Sequence, residues 1–256
     1  MTEGLHVEQL LAAAVFVGAR VSGLMVFCPF LGSNAIPAPL KAALTVLVTG
    51  LVYPLHGPLQ LSLTPWQWMG VALSEVMIGL VVGLAANFMM EGAMMAGQIL
   101  GVQMGYSLAA LFDPQTQADT PVLAQFHQLA ALLIFLQLDV HHWLLRAVVA
   151  SFAYLPAGAA PASLAASGLL HAAGGIFLAG VQIAAPALVA TLVADVALGF
   201  LGKASPQMPV LFIGLAVKNL VGLAVLISVV AYWPHCFAER FAQSIALAER
   251  LLHLTH

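Results

Sequence analysis

Four ionisable side chains lie within long apolar segments of the sequence: Glu75, Glu91, Asp195 and Lys218. An unpaired charge at the centre of a bilayer costs about 3 kcal/mol or more, so such residues either have a function or form buried pairs. Asp195 and Lys218 flank a predicted helical turn at roughly 10 and 13 residues from its centre, which places both about 15–20 Å deep in the hairpin. We expect these two residues to form an ion pair.

The sequence has no pattern typical of catalysis, of a cofactor site or of a metal site. Of its nine histidines, no two are four residues apart, the spacing at which two ligands share one helix face. His141 and His142 are adjacent and would point about 100° apart on a helix. The metalloprotease, nucleophile-elbow, dinucleotide-binding and P-loop motifs are missing. We therefore predict a protein that is not an enzyme, with no cofactor and no metal, and we expect Cys28 and Cys236 to be free buried thiols.

The composition indicates a membrane protein. Hydrophobic residues make up 62% of the 256 residues and charged residues 7%, whereas about a quarter of a soluble domain is charged. So few charges do not cover the surface of a soluble domain of this length, and the outer surface must therefore meet lipid or protein. The formal net charge of -3 offers no basic surface, which argues against a nucleic-acid partner.

Apolar segments of about the length that crosses a bilayer alternate with short breaks rich in Pro, Gly, Asn or Asp. The first apolar segment covers residues 10–31; Arg20 interrupts it, and it ends at Cys28-Pro29. Thr64, Pro65 and Gln67 have the pattern of an N-cap, a first helical position and a capping box, which predicts a helix that runs toward Met90.

A stripe of glycines follows at four-residue spacing: Gly97, Gly101 and Gly105. Small residues at this interval form a flat strip on one helix face, where another backbone can approach closely. Residues 113–120 come next and are predicted to form a short polar loop. An Asp-Pro pair disfavours helix at the start of this loop, and a Thr-Pro pair starts the next helix at its end.

The second half of the chain continues the alternation of helix and turn. A break at residues 139–143 precedes a helix to Tyr154, and further apolar helices are predicted at about 176–201 and 210–232. Residues 235–256 regain charges and are predicted to form an amphipathic helix that lies at an interface or faces solvent. The predicted fold class is an all-α, integral-membrane protein built from hydrophobic broken helices and helical hairpins. Lys and Arg are scattered too evenly to indicate its orientation.

Short motifs follow one another along almost the whole chain. They are Arg20, Cys28-Pro-Phe, Ile36-Pro-Ala-Pro-Leu-Lys41, Glu75-Val-Met-Ile-Gly79, Gly97-Gln-Ile-Leu-Gly101-Val-Gln-Met-Gly105, Phe112-Asp-Pro114, His141-His142, Ser151-Phe, Leu155-Pro156, Asp195-Val-Ala-Leu-Gly199, Ser205-Pro-Gln-Met208 and Ile213-Gly214. Each motif is weak by itself, but the ordered set resembles the FliR family. Its members are subunits of the type III protein export gate of bacterial flagella and are related to the injectisome subunit SctT.

The resemblance implies a non-enzymatic part of a secretion channel, a multi-pass subunit in the bacterial inner membrane at the flagellar basal body. Family members are similar to a fusion of two partner types, which here would be FliP-like over residues 1–168 and FliQ-like over residues 169–256. The implied partners are FliP, FliQ, FlhB and FlhA type subunits, exported unfolded polypeptides and membrane lipid. Many of the hydrophobic helices would then pack on partner subunits.

The resemblance also implies a pore plug in the central loop, at residues 106–120. Apolar side chains would form the seal, and the polar stretch after them could be displaced at small cost. The alternative is a plain surface turn that joins two helices. The plug residues would be Tyr106, Leu108, Leu111, Phe112, Asp113 and Pro114. The residues of the later hairpin turn would be Lys203, Pro206, Gln207 and Met208.

Two other functional classes compete with an export gate. A single-chain ion-coupled transporter could use Glu75, Glu91 or Asp195 as a proton carrier, but such folds usually carry an internal repeat that this sequence lacks. An intramembrane hydrolase would need a nucleophile and a base, and no such pair is identifiable. A gate subunit should co-purify with partners, whereas a transporter should be stable alone and bind a small solute.

Overall fold

The fold is known from a computed structural model, which describes residues 2–32, 36–55, 64–106, 122–156, 166–205 and 210–253. These residues form α-helices and a 3₁₀ turn at Tyr53–Leu55, and within these ranges no residue lies in a strand. The all-α prediction is therefore confirmed. The helices are α1 (Thr2–Phe27), α2 (Ala38–Val52), α3 (Pro65–Gln103), α4 (Val122–Gln137), α5 (Val140–Tyr154), α6 (Ala166–Ala204), α7 (Val210–Val230) and α8 (Trp233–His253).

Helix α3 begins where its sequence predicts and continues further than expected. Both the backbone N–H and the hydroxyl of Thr64 donate to Gln67 Oε1 at 2.9 Å, so the glutamine half of the capping box is formed. The expected end near Met90 was wrong, because α3 runs for 39 residues to Gln103. No proline interrupts the helix after its first residue, and a glycine inside a helix costs only about 1 kcal/mol.

Two other helix ends differ from the sequence prediction. Helix α1 ends at Phe27, directly before the predicted break at Cys28-Pro29, but it begins at Thr2 and not at residue 10. Pro29 restricts the residue before it, and Phe30 has a left-handed backbone with φ of 71°. Helix α6 begins at Ala166 and not near Ile176, because no proline or charge separates these two positions.

Within the described residues, three helical segments are long and apolar enough to cross a membrane: Pro65–Gln103, Gly175–Ala204 and Ile213–Val230. Val122–Gln137 together with Val140–Ala153 passes the same test as one broken span. Helix α2 has 15 residues, which is short for a bilayer that needs about 20. The described part of the chain thus contains three or four candidate spans, as expected of a multi-pass membrane protein.

The chain divides into two compact units, of which the first comprises Met1–Phe88, Asp139–Ala172 and Arg240–His256. In this unit Ala248 of α8 packs with buried residues of α3, Val81 and Ala85. The amphipathic character predicted for the tail is therefore present, but its apolar face is buried in the protein itself. The larger buried side chains of this unit are Phe16, Leu24, Ile78, Leu144, Leu155 and Phe241.

The second unit comprises Met89–Leu138 and Ala173–Glu239. It contains the C-terminal part of α3, all of α4 and α7, and most of α6. Its larger fully buried side chains are Leu100, Met104, Phe135 and Phe237. The expected division at residue 168 rests on likeness to two partner types and not on compactness, so it stays a prediction.

Candidate functional site

A fully buried arginine is the centre of a polar cluster in the first unit. Arg20 Nε donates to Glu75 Oε2 at 2.6 Å, Nη1 donates to Ser151 Oγ at 2.9 Å and Nη2 donates to the Leu155 carbonyl at 2.8 Å. The guanidinium carbon also lies 3.7 Å from the centre of the Phe152 ring. Because both charged side chains are fully buried, this ion pair joins α1 to α3 away from water. Loss of either partner would leave a buried charge unpaired.

The end of α5 supplies part of this cluster. Ser151 Oγ donates to the Val148 carbonyl at 2.6 Å while it accepts from Arg20. Leu155, which caps α5, accepts from Arg20 with its carbonyl oxygen. Helix C-termini carry unsatisfied carbonyls and partial negative charge, which a cation satisfies. The last turn of α5 has no basic residue of its own, so the cation comes from α1.

Glycines let α1 and α3 approach closely enough to form this pair. A Cβ on Gly79 would collide with the Arg20 carbonyl oxygen, and a Cβ on Gly23 would collide with the Val76 carbonyl oxygen. Gly83 is nearly as close, since its Cβ would lie 2.8 Å from the Leu24 carbonyl oxygen. The packing role of Gly79 and Gly83 was not predicted, although their four-residue spacing is a recognisable small-residue packing motif.

A second polar cluster lies in the second unit and contains two more of the four predicted charges. Lys218 Nζ lies 2.9 Å from Asp195 Oδ1, and Gln103 Nε2 donates to Asp195 Oδ2 at 2.9 Å. The structure therefore brings together Asp195 and Lys218, for which an ion pair was expected from their similar depth in the predicted hairpin. This pair is less enclosed than the arginine pair, because the Asp195 side chain is 40% exposed. Glu91 is half-buried on α3.

The glycine stripe divides into a packing part and a capping part. A Cβ on Gly97 would lie 2.5 Å from both Ala124 Cα and the Leu123 carbonyl oxygen, so α3 and α4 touch there at backbone level. Gly101 is buried. Gly105 has φ of 83° and lies beyond the end of α3, which takes it off the helix face where the sequence pattern had placed it.

The end of α3 is a Schellman cap. The Tyr106 N–H donates to the Gly101 carbonyl at 2.9 Å, and the Gly105 N–H donates to the Val102 carbonyl at 3.1 Å. The left-handed conformation of Gly105 suits glycine because no Cβ opposes it. The chain therefore leaves the helix at Tyr106, the first residue of the predicted plug and 37% exposed.

Most of the predicted plug and turn lies outside the described residues. Of the plug residues, Leu108, Leu111, Phe112, Asp113 and Pro114 are not described. Of the turn residues, Lys203 is exposed at the end of α6, whereas Pro206, Gln207 and Met208 are not described.

The two cysteines differ in environment, and the expectation that both are buried was wrong. Cys28 is buried directly after α1, and burial raises the pKa of its thiol to about 12. Cys236 is exposed on α8. Sequence context does not distinguish them, because both lie among apolar neighbours.

Apolar residues form uncovered stripes on helices of the second unit. On α6, exposed residues recur at the spacing of one helix face: Val189, Val193, Val196 and Phe200. On α4 the same spacing holds for Val122, Phe126, Leu129, Leu133 and Leu136. Between Ile213 and Val230 of α7, only 17% of the residues are buried within the protein. These faces require lipid or other protein to cover them.

The sequence matches the family model described as "Bacterial export proteins, family 1" over residues 11–244. It is 30% identical over 227 residues to flagellar biosynthetic protein FliR of Escherichia coli strain K12, which covers 87% of each chain. It is 33% identical over 230 residues to the protein of the same name from Pectobacterium carotovorum, again 87% of each chain. It is 25% identical over 226 residues to surface presentation of antigens protein SpaR of Shigella sonnei, 88% of this chain and 86% of that protein.

The match runs from α1 into α8 and includes the buried arginine cluster, the Gly97 contact, the capped end of α3 and the Asp195–Lys218 pair. The chain belongs to family 1 of the bacterial export proteins.

Proposed function

We propose that this chain is a non-enzymatic subunit of the flagellar type III protein export gate. In that role it forms part of the pore complex through which unfolded flagellar proteins leave the cell. The observation that carries this proposal is the family match over residues 11–244, together with the two relatives named as flagellar biosynthetic proteins. The gate would lie in the inner membrane at the flagellar basal body.

The uncovered apolar stripes support assembly with other subunits. The stripes of exposed apolar residues on α4 and on α6 each lie on a single helix face. A helix surrounded by bilayer would instead be apolar on all of its faces. We infer that FliP and FliQ type subunits cover these faces in the gate, with FlhB and FlhA type export proteins as further partners. The division into a FliP-like part at 1–168 and a FliQ-like part at 169–256 belongs to the same proposal.

The competing role as an ion-coupled transporter is not favoured. A proton carrier must be able to exchange its proton with water on each side of the membrane in turn. Glu75 is instead fully buried in an ion pair with Arg20, and Asp195 already holds Lys218 and Gln103. Both carboxylates therefore have structural partners within the chain.

A genetic experiment tests this function. Deletion of the gene in its own bacterium should abolish secretion of flagellar hook and filament proteins and stop swimming, and a plasmid copy should restore both. The matched control is a plasmid copy with Lys203→Arg, which keeps the charge at an exposed position. A deletion strain that secretes and swims normally would refute the proposal.

We also propose that residues 106–120 close the resting channel. A pore that passes an unfolded chain and still retains ions needs an obstruction that can move aside. The Schellman cap supports this role because α3 ends at Gln103, so that Tyr106, the first residue of the proposed plug, already lies outside the helix. The same segment joins the end of α3 to α4, which fixes both of its ends.

Shortening residues 108–118 with the flanking helices retained tests the plug. The shortened subunit should assemble, and the membrane should leak ions and small solutes at rest, as measured by dye entry or membrane potential. Assembly is scored first, by recovery of the gate complex from membranes. An assembled complex that remains tight would refute the plug, and the plain turn between α3 and α4 would then be the correct description.

A further inference from the structure

Three side chains with metal-binding chemistry converge at the turn before α5. Asp139 has a left-handed backbone with φ of 53° and ψ of 32° and directly precedes the helix. The His142 N–H donates to the Asp139 carbonyl at 2.9 Å, which fixes the first turn of α5 on this residue. His141 and His142 therefore occupy the second and third helical positions, and both side chains can lean back over Asp139.

The Asp139 carboxylate is turned toward the two imidazoles and not toward the helix. An aspartate before a helix ordinarily accepts a backbone N–H of the first turn, but Asp139 makes no such side-chain cap in this described turn. Its Oδ1 instead lies 3.8 Å from His141 Nε2 and 3.6 Å from His142 Nδ1. Both separations exceed the roughly 2.7–3.2 Å of a hydrogen bond.

These separations are close to those between ligands on a single tetrahedral ion. With metal bonds of about 2.0–2.1 Å, two ligand atoms of a tetrahedral zinc site lie roughly 3.4 Å apart. One ligand atom from each of the three residues lies within 4.8 Å of the others, and the two imidazole ring centres are 4.2 Å apart. Small rotations of the side chains would therefore bring all three atoms onto one ion.

The donor set and its accessibility suit a divalent transition metal. Two imidazoles and one carboxylate are ligands that zinc accepts, and they leave a fourth position for water or another ligand. The side chains of Asp139 and His142 are 66% and 59% exposed, so an ion could enter without unfolding. We propose that Asp139, His141 and His142 bind one zinc ion or a similar divalent transition metal.

This site lies outside the family-level function and contradicts the sequence prediction of no metal. That prediction looked for histidines four residues apart on one helix, and it set aside the adjacent His141 and His142 because they would point about 100° apart. It did not include a carboxylate contributed by a left-handed residue just before the helix. A bound ion would tie the first turn of α5 to the preceding turn residue.

The test is metal binding by the full-length protein, purified in detergent with its membrane partners and without a histidine tag. Cobalt is the probe, because its ligand-field absorption reports coordination, and zinc should displace it. We expect one cobalt per chain in wild type and at least a tenfold weaker affinity in Asp139→Asn and in His142→Gln. The matched control is His235→Gln, because His235 is 82% exposed and lies 3.5 Å from one carboxylate, that of Glu239.

Unchanged affinity in Asp139→Asn and His142→Gln would overturn the proposal, and so would an equal loss in His235→Gln. A second measurement uses only wild-type protein and so does not depend on variants that fold. Diethyl pyrocarbonate modifies exposed histidines, and mass spectrometry locates the products. Zinc should protect His141 and His142 and leave His235 reactive, whereas equal modification with and without zinc would overturn the site.

Discussion

Replacement of Glu75 by glutamine should destabilise the protein strongly, because it leaves a buried guanidinium without its carboxylate. Arg20 and Glu75 have fully buried side chains and a 2.6 Å contact. Glutamine keeps the length and volume of glutamate, so the change removes charge and leaves packing nearly intact. Arg20 would keep its bonds to Ser151 and Leu155, which are neutral acceptors.

The expected magnitude follows from breaking a buried ion pair at one partner, which costs about 3–5 kcal/mol. For a chain of this size each kcal/mol shifts the melting temperature by roughly 2–4 °C, so Glu75→Gln should lower Tm by about 6–20 °C. Tryptophan fluorescence during heating of the detergent-solubilised protein measures this shift. The recovered yield of folded protein should fall with it.

Two further variants separate a charge effect from a packing effect. The double variant Arg20→Met with Glu75→Leu replaces the pair by apolar groups and should recover most of the lost stability, since such replacements are often neutral or stabilising. Glu239→Gln, at a side chain 64% exposed, should change stability by less than about 1 kcal/mol. A Glu75→Gln protein as stable as Glu239→Gln would refute the stabilising role of the buried pair. A double variant as unstable as the sum of the single changes would refute it as well.

Two other outcomes follow from the second unit. Gly97→Leu should reduce the recovery of folded protein severely, because its Cβ alone would lie 2.5 Å from the Ala124 backbone. The control Gly70→Leu should be recovered normally, because a Cβ at Gly70 has nothing within 4 Å. Equal recovery of the two variants would contradict the contact between α3 and α4. Neutralising Asp195 or Lys218 alone should impair assembly of the gate, as measured by the yield of the complex. Exchanging the two charges should partly restore that yield, whereas additive damage in the exchanged protein would count against the pair.

The helices could be predicted from sequence because their signals are local. Threonine at position 64 and proline at position 65 mark the start of α3, and the long apolar segments that become α6 and α7 need no distant partner to be recognised. The charged pair on α6 and α7 could also be predicted from sequence, since a hairpin places Asp195 and Lys218 at similar depth. Local pattern and simple helix geometry were sufficient for these features.

The buried arginine cluster could not be predicted in the same way. Glu75 was identified as a charge in an apolar segment, but its partner lies 55 residues away on another helix. Nothing in the sequence states that α1 and α3 pack with these turns opposed. The glycines at 23 and 79 determine that approach, and their role becomes evident only when both helices are seen together.

Backbone conformation accounts for two other differences. Gly105 continues the four-residue spacing of the glycine stripe, but it adopts a left-handed conformation that ends α3. Asp139 likewise adopts a left-handed conformation, which brings its carboxylate near two adjacent histidines that a helical projection separates. Sequence periodicity assumes a regular backbone, so it fails at the residues where the helix begins or ends.

The most direct test of the export-gate assignment is purification of the tagged chain from membranes of its own bacterium at native expression level, followed by mass spectrometry. We expect one stable complex that contains FliP and FliQ type subunits. We also expect a poor yield of folded chain when those partners are deleted, because the stripes on α4 and α6 are then uncovered. A chain that purifies as a stable, monodisperse protein with neither partner, and with equal yield in their absence, would contradict it.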